Sequence, residues 1–297
     1  MKYFITGCSG FIGREITSRL LREGHDVLGL ARRSFVPEPA AGSFRQCVAD
    51  MSCWGTFESE AKSFAPDVII HAAWIRTHDY SEKACRLNHM ASVNLFSFAF
   101  GLESVKTVVG LGSCLEYGPA QAQCSETCIV APETFFAWCK NSLREYGDVQ
   151  SRQTGKAFRW MRIFYAYGPG QRSAALIPTI LDALKAGVEP ELKNPSFACD
   201  LVHVDDIAKG VVLATKWKES GSQSLNLGRG STVTAKSVSA SARAIWNGTD
   251  GAHIEKGTGS CSHNGRIREH LHWEPEVSIE QGLKSLVSAA KSGGLPA

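Results

Sequence analysis

Short apolar runs alternate with helical patterns along the first half of the chain. The runs cover residues 2–6, 27–31, 46–48, 68–71 and 107–112. Between the first two, Ile16, Leu20 and Leu21 recur with helical spacing, and Gly24 stands where a helix would stop. Similar patterns predict helices over residues 14–23, 82–102 and 135–152, and a strand over residues 158–165. The alternation predicts an α/β fold, a doubly wound parallel sheet with helices on both faces.

Composition and charge narrow the classes of protein that this pattern fits. The 297 residues are 43% hydrophobic, and a net charge of +3 is spread without a basic stripe, so nucleic acid is not expected as a partner. We find neither a signal-peptide core nor an apolar run long enough to span a membrane, and we expect a cytoplasmic protein with no membrane partner. The ten cysteines lack the paired spacing of a zinc site, so we expect reduced thiols and no metal.

A glycine-rich turn joins the first predicted strand to the first predicted helix. Gly7, Gly10 and Gly13 have the spacing of a dinucleotide-binding fingerprint, and they lie between a strand and a helix, which is the context that gives this motif its meaning. Gly7 would allow the tight turn, Gly10 the close approach of a pyrophosphate, and Gly13 the packing of helix on strand. The turn predicts a Rossmann-type fold that binds a nicotinamide dinucleotide.

The end of the second predicted strand indicates which dinucleotide is bound. An NAD site usually places an acidic residue there to bond the adenosine ribose, but this chain has Arg32 and Arg33. Guanidinium groups pair with a 2′-phosphate through charge-assisted bonds. We therefore expect NADP(H) as the cofactor.

The alternation becomes less regular after the breaker at Tyr167-Gly168-Pro169-Gly170. Prolines and a Gly/Ser-rich stretch over residues 248–265 indicate a smaller lobe built from discontinuous pieces. We assign residues 1–165, with about 200–228, to an NADP-binding Rossmann domain. Residues 166–199 and 229–297 are assigned to a substrate-binding lobe.

Several motifs in order along the chain resemble those of the extended short-chain dehydrogenase/reductase family, in particular its nucleotide-sugar epimerases, dehydratases and 4-ketoreductases. The motifs include the segment 6–13, Asp50-Met51, the strand 68–73 with Asn88 after it, Arg162-Ile163-Phe164, and the segments 167–171, 176–178 and 200–208. The resemblance implies that a nucleoside-diphosphate sugar is the partner. It assigns the cofactor to Gly7, Ser9, Gly10, Phe11, Ile12, Gly13, Arg32, Arg33, Asp50, Met51, Ala72, Ala73, Lys140 and Phe164.

The resemblance also locates the catalytic residues, with one departure. Ser113, four residues before Tyr117-Gly118, looks like the family's catalytic serine. The family normally carries Tyr-x-x-x-Lys on the next helix, where the lysine lowers the tyrosine pKa and fixes the cofactor ribose. Here Lys140 is in place, but Phe136 stands where the tyrosine is expected, so the usual general acid/base is missing.

Three explanations for Phe136 stay open. An engineered change of tyrosine to phenylalanine would leave the other motifs intact, as observed, and we favour it. A nearby donor such as Tyr165, Tyr167 or Cys114 would be a natural replacement. The third is a non-catalytic NADP(H)-binding descendant of the family.

The residues after Ser113 bear on the reaction. Dehydratases resembling this family have Asp and Glu there, whereas this chain has Cys114 and Leu115, which disfavours 4,6-dehydration. A net reduction consumes an exchangeable cofactor, usually NADPH, so the arginines favour reduction. We expect NADPH-dependent reduction at C4 of a nucleoside-diphosphate 4-keto-6-deoxyhexose, in deoxysugar biosynthesis, impaired by Phe136. The alternatives are a nucleotide-sugar epimerase and a non-catalytic protein.

For the substrate, the resemblance implies contacts from Ser113, Tyr165, Ile177, Arg172 and Lys193. Arg266 is a further basic candidate, and Arg76, His78 and Tyr80 lie in a loop that would face the sugar. His71 ends a buried strand and is expected to pack there rather than to act as a catalyst. The family also implies a homodimer formed by the helices predicted over residues 82–102 and 135–152.

Overall fold

The fold centres on a parallel sheet, seen in a computed structural model that describes residues 1–76, 79–119 and 122–293. Seven strands form it in the order β3-β2-β1-β4-β5-β7-β11, and all six neighbouring pairs are parallel. The sheet strands are β1 (Lys2–Thr6), β2 (Asp26–Ala31), β3 (Phe44–Val48), β4 (Val68–His71), β5 (Thr107–Ser113), β7 (Ala157–Ile163) and β11 (Ser222–Leu227). This confirms the predicted doubly wound parallel sheet.

Six shorter strands lie outside this sheet in the described part of the chain. They are β6 (Gln123–Cys124), β8 (Tyr165–Tyr167), β9 (Ala198–Cys199), β10 (Leu201–His203), β12 (Val233–Thr234) and β13 (Cys261–Ser262). They pair as β8 with β10, β9 with β12, and β6 with β13. The helices are α1 (Phe11–Arg22), α2 (Glu58–Phe64), α3 (Glu82–Gly101), α4 (Phe135–Thr154), α5 (Leu176–Lys185), α6 (Val204–Lys216), α7 (Ala235–Trp246), α8 (Gly265–Leu271) and α9 (Ile279–Lys291).

Helices cover both faces of the sheet, so its central strands are almost entirely buried. One face packs against α1 and α6 through residues such as Ile16, Leu20 and Val211. The other face packs against α2, α3 and α4 through a cluster that includes Phe96 and Leu143. All four residues of β4 are buried, as expected for a strand of a parallel sheet that is covered on both sides.

The strand predicted over residues 158–165 is divided in the structure, and its predicted end was wrong. At Phe164 the backbone N–H still bonds to Leu227 O in the large sheet, but Tyr165 N bonds to Asp200 O instead. The chain therefore leaves the large sheet and continues as β8 beside β10. This change of partner comes from tertiary pairing, which a continuous apolar pattern does not reveal.

A separate apolar cluster joins α5, α7 and α9 beyond this point. Its buried members include Ile180, Val238 and Leu283. Asp200 is fully buried and ties the region together, because its carboxylate accepts bonds from Arg229 N and from the backbone N–H and hydroxyl of Ser262. The division into a Rossmann domain and a substrate-binding lobe stays a prediction.

The cysteines, the hydropathy of the helices and the clustering of metal-binding side chains were also the subject of expectations from the sequence. All ten cysteines are free thiols. No helix in residues 1–76, 79–119 and 122–293 is long and apolar enough to cross a bilayer. The same residues bring together no group of three or more His, Cys, Asp or Glu side chains that would hold a metal ion.

Candidate active site

The glycine turn between β1 and α1 is so tightly packed that side chains are excluded from it. Gly7 has a φ of +75°, and a Cβ there would lie 2.8 Å from Ala73 N. A Cβ on Gly13 would lie 2.0 Å from Gly7 O. Helix α1 begins after Gly10 with no side-chain cap and no acidic residue in its first turn. An uncapped helix N-terminus beside an open backbone turn is suited to a pyrophosphate, so the residues present fit a dinucleotide.

A cleft of about 400 Å³ lies along this turn, at the carboxyl ends of β1, β2 and β4. Ten of the predicted cofactor residues line it: Gly7, Ser9, Gly10, Phe11, Ile12, Gly13, Arg32, Met51, Ala72 and Ala73. Trp74, Ile75, Gln171 and Arg172 also line it, and the fingerprint motif does not point to them. The glycine fingerprint therefore located part of the cleft, while Gln171 and Arg172 come from a segment distant in sequence.

The other four predicted cofactor residues do not line this cleft. Arg33 is exposed and does not line the cleft beside Arg32, and its carbonyl accepts a bond of 2.8 Å from Gln46 Nε2. Asp50 accepts bonds of 2.8 and 2.7 Å from the N–H and hydroxyl of Ser52. Phe164 lines the neighbouring cavity, and Lys140 is buried. Of the two arginines, the structure brings only Arg32 to the cleft.

A chain of buried hydrogen bonds supports the wall of the cleft that follows β4. His71 Nδ1 lies 2.8 Å from Thr6 Oγ1, and His71 Nε2 lies 2.8 Å from Ser92 Oγ. Because the Ser92 hydroxyl donates to Asn88 O, it accepts from Nε2, and in a neutral ring Nδ1 then accepts from the Thr6 hydroxyl. Burial lowers the pKa of His71 to about 3, in agreement with a neutral ring. His71 is therefore a packed structural residue, as expected.

Asn88 connects this network to the loop that borders the cleft. Its side-chain oxygen accepts a bond of 2.6 Å from Ile75 N, and its amide donates to Ile75 O at 3.0 Å. These two bonds fix the backbone next to Trp74 and Ile75, which line the cleft. The family resemblance had pointed to Asn88, but only the structure shows that its side chain bonds to this loop.

Ser113 is held by a buried ion pair beneath it. The Glu116 side chain accepts a bond of 2.8 Å from Ser113 N, and it pairs with Arg162 Nε at 2.8 Å. Both charged side chains are almost entirely buried, and Trp160 Nε1 also donates to the carboxylate. Arg162 Nη1 bonds the Tyr117 hydroxyl, which donates to Asn226 Oδ1. Glu116 thus anchors the Ser113 segment instead of contacting substrate.

Aromatic rings surround Phe136. The Tyr80 ring stacks on it with centroids 4.7 Å apart and planes inclined by 9°, while the Trp74 ring meets it edge-on at 5.2 Å. Lys140 lies one helical turn further along α4, with Nζ 5.7 Å from the Phe136 ring centroid and 4.3 Å from that of Trp74. Lys140 Nζ also donates to Leu111 O at 2.8 Å, and burial lowers its pKa to about 8.

A second cavity of about 590 Å³ adjoins the cleft and shares Ala166, Gln171 and Arg172 with it. Six of the predicted site residues line this cavity. These are Ser113, Phe136, Phe164, Tyr165, Arg172 and Lys193, joined by Tyr80 and Cys114. A dinucleotide in the cleft and a second ligand in this cavity would therefore meet near Arg172.

Three candidates are not brought to this cavity, and a fourth lies outside the described residues. Ile177 is 1% exposed and packs in the apolar cluster of α5, α7 and α9, so its role as a substrate contact stays a prediction. Arg266 instead approaches Ser224 O through Nη1 at 3.4 Å. Tyr167 is buried and donates its hydroxyl to Ser278 O at 3.3 Å, so it is not a proton donor in the cavity. His78 lies outside the described residues.

The strand order and the glycine turn at the carboxyl edge of the sheet define a dinucleotide-binding protein of the Rossmann class. The model of the NAD-dependent epimerase/dehydratase family matches residues 3–228. The chain belongs to this family, within the extended short-chain dehydrogenase/reductases that act on nucleotide sugars. This confirms the resemblance and places the chain in a family of enzymes.

Relatives of known name agree with this placement. UDP-glucose 4-epimerase of Mycolicibacterium smegmatis is 28% identical over 97% of both chains. The dTDP-6-deoxy-L-talose 4-dehydrogenase (NAD(P)⁺) of Kitasatospora kifunensis is 28% identical over 78% of this chain and 75% of its own. The solved structure of MoeE5 in complex with UDP-glucuronic acid and NAD has a TM-score of 0.85 at 23% identity, covering 99% of this chain and all of its own.

Proposed function

We propose that this chain is an NADPH-dependent reductase that acts at C4 of a nucleoside-diphosphate 4-keto-6-deoxyhexose, a reaction of deoxysugar biosynthesis. The observation that carries the proposal is Arg32, which lines the cleft directly after β2, where NAD-binding proteins place a carboxylate. Among the described residues, no acidic side chain lines the cleft. A guanidinium there favours a 2′-phosphate.

The residues of the second cavity support reduction over dehydration. Leu115 follows Cys114 where an acid/base pair would be needed to move the protons of an elimination, and neither side chain is a carboxylate. The similarity to a dTDP-6-deoxy-L-talose 4-dehydrogenase favours a 4-keto-6-deoxyhexose nucleotide as the substrate.

Each residue has a proposed role in this reaction. A bound NADPH would supply the hydride. Ser113 hydrogen-bonds the ketone oxygen, because it ends β5 at the wall of the cavity and is held from below by Glu116. Arg172 and Lys193 contribute positive charge for the diphosphate, and Lys140 holds the ribose side of the site.

The cofactor assignment is tested by changing Arg32 to Ala and measuring the Kd of NADPH and of NADH by fluorescence titration. Charge-assisted hydrogen bonds contribute about 1.5–3 kcal/mol, so NADPH binding should weaken roughly tenfold to hundredfold while NADH binding changes little. Arg33→Ala is the matched control, since Arg33 does not line the cleft. Tighter binding of NADH than of NADPH by the unaltered protein would contradict the assignment.

The reaction is tested by following NADPH oxidation with a panel of nucleoside-diphosphate 4-keto-6-deoxyhexoses. Consumption of one NADPH per sugar supports reduction. Interconversion of two sugar nucleotides without net cofactor consumption would instead support the second candidate, a nucleotide-sugar epimerase. The family match and the end-to-end similarity to a UDP-glucose 4-epimerase favour this alternative. NADP(H) binding without any turnover would point to a non-catalytic protein, for which Phe136 is the supporting observation.

We also propose a homodimer formed by α3 and α4. The outer faces of these two packed helices expose large apolar side chains: Leu87, Met90, Phe135 and Trp138. Exposed large apolar side chains grouped on neighbouring helices are typical of protein interfaces. A symmetric dimer would cover it.

A further inference from the structure

The second cavity contains a phenol beside the position where the expected one is missing. The Tyr80 ring stacks nearly parallel on Phe136, with ring centroids 4.7 Å apart, and both residues line the cavity with Ser113 and Cys114. The loop that precedes α3 supplies this phenol, whereas the family's tyrosine comes from α4. The ring stacked on Phe136 therefore carries a hydroxyl group, that of Tyr80.

The Tyr80 hydroxyl is available to a ligand. It makes no hydrogen bond within the part of the chain that the structure describes, so no partner there competes with a substrate oxygen for this hydroxyl. Tyr80 is 40% exposed, which leaves a path for a proton from water. Its backbone is followed at once by Ser81, whose hydroxyl caps α3 by accepting from Ala84 N.

Two other candidate donors in the cavity fit less well. Burial raises the pKa of the Cys114 thiol, and a thiol is a weak hydrogen-bond donor. The Tyr165 ring rests edge-on against Phe197 at 5.7 Å and has no ring contact with Phe136. Among the described residues of the cavity, Tyr80 is the phenol stacked on the ring one helical turn from Lys140.

We propose that the Tyr80 hydroxyl donates the proton to the substrate's ketone oxygen, in place of a hydroxyl at position 136. This assignment rests on the proposed reductase function. A bound reduced nicotinamide dinucleotide would supply the hydride that reduces the ketone carbon. The Tyr80 O–H bond breaks as the new alcohol O–H bond forms, and the tyrosinate left behind regains a proton from water.

The electrostatic surroundings of Tyr80 suit an acid better than a base. Burial raises the pKa of Tyr80, Arg172 opposes this shift, and Cys114 and Cys85 add to it when ionised. A neutral phenol gives a proton to a developing alkoxide, whereas epimerisation also requires a base to remove one from an alcohol. The arrangement therefore favours the reductive direction over epimerisation.

The test compares four proteins in NADPH oxidation with the 4-keto sugar nucleotide: the unaltered chain, Tyr80→Phe, Phe136→Tyr and the double variant. Tyr80→Phe should lower kcat by about a hundredfold or more, the range for a positioned proton donor. The Kd of NADPH should stay within about twofold, since Tyr80 does not line the cofactor cleft. Phe136→Tyr in the Tyr80→Phe background should recover the rate by supplying a hydroxyl from α4.

A second readout does not depend on turnover. In the unreactive complex with NADP⁺ and the 4-keto sugar nucleotide, a hydrogen bond from Tyr80 should perturb the near-ultraviolet tyrosine band, and Tyr80→Phe should remove that perturbation. Tyr146→Phe is the matched control, because its hydroxyl bonds Gln150 Nε2 on α4 and lines neither cavity.

The results separate the two proposals. If Tyr80→Phe keeps the rate within threefold, or if Tyr165→Phe abolishes it instead, the Tyr80 assignment is overturned and the reductase function stands. Activity of Phe136→Tyr together with an inactive unaltered chain would likewise overturn the Tyr80 assignment and leave the reductase function standing. If no variant oxidises NADPH with any sugar of the panel although NADPH binds, the reductase function fails and the Tyr80 assignment fails with it.

Discussion

Position 136 carries an aromatic ring where the family usually has its proton-donating tyrosine. Phe136 presents a ring to Trp74 and Tyr80 and lies one helical turn from Lys140, whose charge would lower the pKa of a phenol at this position. The aromatic stacking accommodates the ring, and what this position lacks is a hydroxyl group.

Changing Phe136 to Tyr should raise kcat for 4-keto sugar reduction by at least about tenfold, the low side of what a positioned proton donor supplies. The measurement is steady-state NADPH oxidation at saturating substrate. Phe135→Tyr, on the exposed neighbouring position, serves as the control for adding a hydroxyl to this turn of α4. An unchanged rate for Phe136→Tyr would contradict a proton-transfer role for this position.

His71 makes the stability of the fold depend on pH. Its pKa is about 3 in the folded chain and 6.5 ordinarily. As the pH falls through 6.5, the unfolded chain therefore binds a proton at His71, whereas the folded chain does not. The stabilisation is complete above pH 6.5 and is lost progressively toward pH 3.

We therefore expect the free energy of unfolding to fall as the pH is lowered from about 7 to 5, and to fall less steeply in His71→Gln, which cannot titrate. Denaturant unfolding at several pH values measures both slopes. Equal slopes for the two proteins would show that His71 titrates normally in the folded state.

At the scale of elements, the contact between the β1–α1 turn and the strands beside it explains the glycine spacing. A methyl group on Gly13 would have to occupy the space of Gly7 O, only 2.0 Å away, and the next nearest atoms, Gly7 C and Cys8 Cα, are backbone as well, which prevents relief. The turn can thus approach the sheet only when these positions carry no side chain.

Gly13→Ala should destabilise the fold by about 1–3 kcal/mol, the usual cost of overpacking, and should weaken NADP(H) binding by displacing the turn. Denaturant unfolding and fluorescence titration measure the two effects. Gly101→Ala is the matched control: an added methyl there has no atom within 4 Å, so its effect should not exceed about 1 kcal/mol, in the stabilising direction. Equal effects of the two changes would contradict the packing explanation.

At the scale of the whole molecule, the outer faces of α3 and α4 leave apolar side chains without cover. Leu87 and Met90 on α3 are each 59% exposed, and Trp138 on α4 is 55% exposed. Charged residues at such positions would oppose burial in an interface, because a charge buried without a partner is costly.

The double change Leu87→Lys and Met90→Lys should convert a dimer into a monomer, as measured by sedimentation velocity. Val36→Lys is the control, since Val36 is 87% exposed but lies outside α3 and α4. A monomeric unaltered chain, or a dimer that survives the double change, would rule out this interface.

Local sequence was sufficient to predict the strands at the centre of the large sheet. The strands Lys2–Thr6 and Val68–His71 have the predicted bounds, because strands buried on both faces are apolar throughout and end at glycine or polar residues. Prediction was less accurate where a partner distant in sequence decides the structure. The division of the strand at Phe164 is such a case, because its new partner is β10.

The sequence by itself determined the parallel sheet, the glycine turn and the missing hydroxyl at position 136, because each depends on residue type within a short segment. Only the tertiary structure separated Arg32 from Arg33, buried Glu116 against Arg162, and stacked Tyr80 on Phe136. These arrangements bring together side chains from different elements, and their distances depend on how the helices and loops pack on the sheet. No local pattern of residues encodes such packing.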